Sequence, residues 1–298
     1  MPSTIILSVA GAAAVYVFLL ALARFKHDPR EPEAIVGTIP FISTLIGMIT
    51  EKGHYYVRLR DKYRLPIYTL RVPGPPLYIV NSLHMIQRID RHIMTVAFSP
   101  IQARLCEKVS LLDKDSMKKV AGDNETAEDG YLRSFARAIA PGASPGQGLD
   151  SLSMEAVKHF AEDFERRAAS GPSTVKLYEW IRHELFASSM EATYGPHNPF
   201  RDAENEKAWF ELESGILTLL LDLLPSILAR RSLKACRALI AEFDRYFNDK
   251  RHLEGSLLIQ LREKHNAAFG LDTNETAHVE IGQVTGAIVN TAPTAFWL

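Results

Sequence analysis

Near its C-terminal end the chain sets an amide and a hydroxyl side by side, Asn290 and Thr291, just ahead of Pro293. They follow a stretch from Thr276 in which Val279, Ile281, Val284, Ile288 and Val289 recur at helical spacing, with the small residues Gly282, Gly286 and Ala287 between them. Pro293 has no N–H to offer the carbonyl of Val289 four residues earlier, and its ring crowds that turn, so a kink is expected there. The kink would leave a carbonyl free beside the Thr291 hydroxyl. A small-residue groove next to an amide and a hydroxyl, on an otherwise apolar helix, suits a ligand or an ordered water. The plainer alternative is a kinked core helix with Thr291 bonded to its own backbone, and pattern alone favours it.

Other chemistry is sparse. Cys106 and Cys236 lie far apart, which excludes a disulfide framework and a CxxC-type zinc site. Asp113, Asp115 and Asp123 lack the spacing and the Gly of a calcium loop, so no metal ligand set is read. With 34 Lys+Arg against 35 Asp+Glu and a net charge of −1, the chain has no electrostatic footprint for nucleic acid. At 47% hydrophobic and 23% charged residues it is neither disordered nor collagen-like.

The elements that must position these residues begin with an apolar run. Thr4 to Ala23 contains no charge and is long enough to cross a bilayer as a helix. Arg24, Lys26 and Arg30 follow it, so the body of the chain is expected on the cytosolic side. A cleaved secretory signal fits less well, because no basic region precedes the run. Asn124-Glu125-Thr126 and Asn274-Glu275-Thr276 match the N-glycosylation acceptor and are expected to carry no sugar in that topology. The organisation expected is a short N-terminus at 1–3, a transmembrane anchor at 4–23, a proline-containing linker and entry segment at 24–49, and a helical domain at 50–298.

Within that domain, Ile67–Val72 and Leu77–Val80 read as a hairpin joined by Pro73-Gly74-Pro75-Pro76, with Asn81 or Ser82 capping the helix that follows. Asp113–Asp129 reads as a solvated loop. Helices are expected around Tyr131–Ala140, Leu149–Ala169 and Leu177–Tyr194, punctuated by Gly171-Pro172 and Gly195-Pro196. The apolar run Gly215–Ala229 is too short and interrupted to span a membrane. It is either a core helix followed by a solvated basic one (Arg230, Arg231, Lys234, Arg237) or a surface that dips among lipid headgroups. The fold class is mainly α with a small β-sheet (α+β).

The run Gly286-Ala287-Ile288-Val289-Asn290-Thr291-Ala292-Pro293-Thr294-Ala295-Phe296-Trp297 resembles the distal (I) helix of cytochrome P-450 monooxygenases. It is closest to the branch of sterol 7α-hydroxylase and prostacyclin synthase and their fungal relatives. Gly37-Thr38-Ile39-Pro40-Phe41, the hairpin, Tyr194–Phe200 and Trp209–Glu213 agree with that family in order, so the resemblance runs from about Glu31 to Leu298. It implies the N-terminal part of a cytochrome P-450-like fold behind a single membrane helix. It also implies a heme-thiolate enzyme that activates O₂ and hydroxylates a lipophilic, sterol-like or fatty substrate. The cofactor would be heme b, with electrons from NADPH through a separate cytochrome P-450 reductase, at the endoplasmic reticulum membrane with the body facing the cytosol.

By the same resemblance, Thr291 and Asn290 stand where the family has its acid–alcohol pair for proton relay. Asn290 departs from the usual acid, since an amide holds water but does not titrate. Ala287 would lie over the heme. Phe98, Ile101, Leu217 and Ile288 fall in regions that contact substrate. The family's Glu-x-x-Arg pair and Phe-x-x-Gly-x-x-x-Cys heme loop belong after the distal helix and are not found there, and neither Cys106 nor Cys236 has a suitable context. The last residues carry no helix stop signal. The expectation is a chain truncated before its heme-ligating Cys and inactive as it stands. The alternative is a non-catalytic, membrane-anchored helical protein that binds lipid or a reductase.

Overall fold

The computed structural model describes residues 2–25, 27–72, 74–92, 95–122, 127–222 and 224–297, without the side chains of 2–9 and 24. The chain is mostly helical with one three-stranded sheet and divides into two compact units, Met1–Ala97 and Phe98–Leu298.

The first unit opens with helix α1, Pro2–Phe25. It covers the expected anchor, Thr4–Ala23, part of whose side chains lies outside the described residues. Among the described residues no helix is long and apolar enough to cross a membrane. The helix is therefore borne out and the span is not.

Two helices and the sheet follow: β1 (Ala34–Ile35), α2 (Ile42–Thr50), α3 (Gly53–Tyr63), β2 (Ile67–Leu70) and β3 (Leu77–Val80). β2 and β3 pair antiparallel with Leu70 opposite Leu77, which is the expected hairpin, although Pro73 of its turn lies outside the described residues. The linker also adds a strand that periodicity does not reveal. β1 pairs parallel to β2, and the Thr69 hydroxyl donates to the Pro32 carbonyl at 2.7 Å. A two-residue strand has no alternation to read; it exists because β2 offers an open edge. α4 (Leu83–Ile89) closes the unit, with Ser82 at its N-cap.

The second unit contains α5 (Ser99–Lys108), α6 (Lys114–Ala121), α7 (Tyr131–Ala143), α8 (Gln147–Ala169), α9 (Leu177–Tyr194), α10 (Ala203–Leu221), α11 (Pro225–Leu228), α12 (Arg230–Asn248), α13 (Leu257–Ala268), α14 (Thr273–Ile288) and α15 (Thr291–Trp297). The expected helices at 131–140, 149–169 and 177–194 are present. The polar stretch after Asp113 is not a loop throughout. Asp113 caps α6, its carboxylate accepting from the N–H groups of Asp115 and Ser116, while Ser116 and Val120 turn inward. Aspartate at an N-cap satisfies donors that a helix otherwise leaves open, so an acidic cluster marked a helix start. Residues 123–126, with the first glycosylation motif, lie outside the described residues; the second motif forms the first turn of α14.

The core of this unit lies where α10, α12 and α14 pack together, around Trp209, Leu212, Cys236, Leu239, Phe243 and Ile281. α10 and α12 approach closely at Gly215, where a Cβ would collide with Ser232 Oγ. The apolar run 215–229 is core in its first part and surface in its second. Gly215 and Leu219 are buried in α10, whereas Leu224, Ile227 and Leu228 stand exposed around α11.

Candidate functional site

α14 begins with a capping box: the Asp272 carboxylate accepts from Glu275 N–H, and Glu275 accepts from Asp272 N–H at 2.8 Å. Glu275 also binds Ser116 Oγ and Lys119 Nζ, which ties the helix to α6. Burial of this carboxyl alone would raise its pKa, but the Lys119 ammonium and the donated hydrogen bonds outweigh it and hold it below the usual glutamate range.

Two turns later Glu280 is fully buried. One of its oxygens accepts from Tyr194 OH and from Arg262 Nη1, both at 2.6 Å, and Tyr246 OH donates to the Tyr194 carbonyl at 3.0 Å. Burial works against the charge on Arg262, and the Glu280 carboxylate more than offsets it, so the guanidinium stays charged. The pair joins α9, α13 and α14 in a low-dielectric interior. No reading of the sequence located it; the available signal was a lone carboxylate flanked by Val279 and Ile281.

Toward its C-terminal end α14 loses its neighbours on one side. Gly286, Ala287, Asn290, Pro293, Thr294 and Trp297 are exposed, while Val284, Ile288 and Ala292 face inward. α14 stops at Ile288 and α15 starts at Thr291, so the helix breaks where Pro293 withholds its N–H from Val289. The expected break is present. The Thr291 hydroxyl does not point to open space; it donates to the Ala287 carbonyl at 2.6 Å, as the plainer reading required.

Beside this open segment lies a cavity of about 130 Å³. α5 lines it with Phe98, Ile101, Gln102, Leu105 and Cys106, and α7 with Tyr131, Leu132 and Phe135. α14 contributes Gly282, Gln283 and Gly286. The glycines make the room. A Cβ at Gly282 would come within 2.8 Å of Leu105 Cδ2, and at Gly286 the space beyond the helix is open.

The walls carry no charge. Burial pushes the Cys106 thiol up to about 12. Burial, followed by the nearby Cys106 and Glu280, raises the Tyr131 hydroxyl well above its ordinary value. That hydroxyl donates to Asn266 Oδ1 at 2.7 Å. Such a cavity can bind and orient an apolar molecule; it holds no group that would act as an acid or base near neutral pH.

Of the residues singled out in the sequence, Phe98 and Ile101 line the cavity and Ala287 adjoins Gly286 on the open face. Asn290 and Thr291 follow one turn on. Leu217 is half-buried in α10 and does not line the cavity. Ile288 is buried in the core with α12, on the opposite face of α14. The wall formed by α7 and the two glutamines was not foreseen, because contact between α5, α7 and α14 joins residues far apart in the chain.

A planar cofactor needs a flat wall and a ligand. The exposed Gly286–Ala287–Asn290 face offers the wall. The described cysteines do not offer the ligand, since Cys236 is also buried, its thiol is pushed up to about 12, and its Sγ lies 3.2 Å from the Val109 carbonyl. Among the described residues no cluster of His, Cys, Asp or Glu could hold a metal ion.

Fold and cavity together define a mostly helical protein with an uncharged cavity beside a broken helix. Its similarities to known proteins are more specific. The chain is 28% identical over 275 residues, 92% of its length, to the cytochrome P450 monooxygenase nodJ of Hypoxylon pulicicidum, covering 52% of that protein. It is 23% identical over 294 residues, 97% of its length, to a cytochrome P450 monooxygenase of Gibberella zeae, covering 55% of it. No family model matches the chain. The two similarities support assigning the chain to the cytochrome P450 family, as the distal-helix resemblance implied. The chain spans about half the length of the curated relatives it matches.

Proposed function

We propose that residues 1–298 form the distal, substrate-facing part of a cytochrome P450-type monooxygenase that hydroxylates a lipophilic, sterol-like or fatty molecule. The observation that carries this reading is the break between Ile288 and Thr291 beside an uncharged cavity, in a chain similar to P450 monooxygenases over nine-tenths of its length. In the whole enzyme, bound heme b supplies O₂ activation, with electrons from NADPH through a separate reductase.

In this reading the chain's own residues have limited tasks. Phe98 and Ile101 contact the substrate at the mouth of the cavity. Ala287 and Gly286 keep the wall flat beside the cofactor. Asn290 holds a water by its amide and passes no proton of its own. The Thr291 hydroxyl, once released from the Ala287 carbonyl, would donate to that water.

The reading also places the protein at the endoplasmic reticulum membrane, anchored through Thr4–Ala23 with the body in the cytosol. Support comes from the exposed Val15, Val17, Phe18 and Phe25 on α1. A second apolar surface, Leu224, Ile227 and Leu228, precedes the exposed Arg230, Arg231, Lys234 and Arg237, a pattern suited to anionic headgroups.

The test is to read the transcript past the codon for Leu298 and, in parallel, to titrate the purified 298-residue chain with heme. A frame that continues into Glu-x-x-Arg and a Cys-bearing loop is expected. A stop codon directly after Leu298 would overturn the catalytic reading. A thiolate-type heme spectrum from the 298-residue chain would instead overturn the expectation that this stretch alone binds no heme, because it would assign the ligand to Cys106 or Cys236.

A further inference from the structure

The cavity between α5, α7 and α14 is uncharged and carries two side-chain amides that no described residue satisfies. Gln102 on α5 and Gln283 on α14 line it, half-buried among Leu105, Leu132 and Phe135. Neither amide has a hydrogen-bond partner among the described residues. The other polar groups in the wall are accounted for: Tyr131 OH donates to Asn266, and the Cys106 thiol is protonated. Both amides are only half-buried and stay within reach of water on the open side of the cavity, so a ligand oxygen can take the place of that water, whereas a group without oxygen displaces it unreplaced. A Cβ at Gly282 would meet Leu105 and Ser110, and at Gly286 it would meet nothing within 4 Å. The volume of about 130 Å³ is near that of an engineered apolar cavity of about 150 Å³ that accepts one benzene ring.

We propose that this cavity takes one ring of the lipophilic substrate, a ring bearing a hydroxyl or carbonyl oxygen, and that Gln102 and Gln283 hold that oxygen. The proposal rests on the cavity being the ligand site argued above. Each amide carries both a donor and an acceptor, so a hydroxyl can accept from one and donate to the other, while a carbonyl accepts from both. A ring without oxygen leaves both amides unpaired and is disfavoured by that difference alone. Gln102 and Gln283 thus act as specificity determinants.

The experiment compares phenol and toluene, rings of nearly equal size, as probes of the purified 298-residue chain by ligand-observed NMR titration. Wild type is expected to bind phenol about tenfold more tightly than toluene. The double variant Gln102→Leu/Gln283→Leu is expected to bind toluene at least as well as wild type and to lose the preference. Its thermal midpoint should hold, because the two half-buried amides bond no described residue. Gly286→Leu fills the cavity and should abolish binding of both probes.

Equal affinities in wild type, or a preference that survives in the double variant, overturn the assignment while leaving the ligand site standing. A lowered thermal midpoint in the double variant also overturns it, since it would show the amides to be structural. If neither probe binds wild type, or Gly286→Leu binds as wild type does, the cavity is not the ligand site, and both readings fall.

Discussion

The two halves of the segment from Thr276 to Trp297 are made of similar residues and are finished differently. From Thr276 to Ile281, α14 is enclosed, and from Gly282 it begins to open onto the cavity. Ala277, Val279, Glu280 and Ile281 are fully buried, and the carboxylate of Glu280 is answered inside the molecule by Tyr194 and Arg262. From Gly286 onward one side is open, and the helix breaks after Ile288. Gln283 and Asn290 present amides that no described side chain answers. The contrast separates two uses of polarity on one helix. A buried ion pair, bonded through one Glu280 oxygen while Glu280 Oε2 and Arg262 Nε lack a partner among the described residues, fixes how helices α9, α13 and α14 meet. A half-buried amide beside an uncharged cavity is, in the reading proposed above, a place for a ligand's oxygen.

The comparison can be broken most severely at Glu280. Replacing it by Ala leaves the Arg262 guanidinium charged in the interior, and the loss expected is about 3–5 kcal/mol, read from urea unfolding. Adding Arg262→Met should recover much of that loss, because what is costly is the unpaired charge. If Glu280→Ala is nearly neutral, the closed half of α14 is not closed.

The open half predicts a change of opposite sign. Gly286→Ala places a methyl group where nothing lies within 4 Å and lowers the freedom of the unfolded chain. A gain of about 0.5–1 kcal/mol is expected in the same unfolding measurement. Destabilisation would show that the face is occupied.

Glu275 sharpens the comparison through pH. Its carboxyl is held below the usual glutamate range in the folded state, so it contributes stability above that range, and the contribution is lost as the pH falls through the lowered folded value. Glu275→Gln should therefore flatten the acid limb of a stability-against-pH curve and leave neutral and alkaline behaviour parallel to wild type. An acid limb that keeps its slope would place the titrating group elsewhere.

The smallest effect is expected at Thr291. Its hydroxyl bonds the Ala287 carbonyl on a partly exposed face where water can substitute. Thr291→Val should cost roughly 0.5 kcal/mol, read from the thermal midpoint. A much larger loss would mean that the bond holds the break together and that the hydroxyl is not free to serve a ligand.

The helices at 131–140, 149–169 and 177–194 and the hairpin at 67–80 were legible because each carries a local signal: periodic apolar residues, Gly-Pro boundaries, or two β-rich runs across a Pro-Gly turn. The break after Ile288 was legible for the same reason, since a missing N–H is a property of Pro293 alone. The acidic start of α6 resembles solvated surface in the sequence; only the fold shows Asp113 satisfying backbone donors while Val120 packs inside. The strand at Ala34–Ile35 had no pattern of its own and follows from the edge of β2.

The amino-acid sequence thus determined the mainly helical class, the apolar first helix, the proline break and the place of Asn290, Thr291 and Ala287 on one segment. Each depends on residues within a few positions of one another, where stereochemistry and periodicity act directly. The tertiary structure alone decided that Glu280 would meet Arg262 and Tyr194. It also decided that Ile288 would face the core while Ala287 faces out, and that Gln102, Tyr131 and Gln283 would share one cavity. Those outcomes depend on which helices pack against α14, and helix packing joins residues whose separation along the chain carries no local signal.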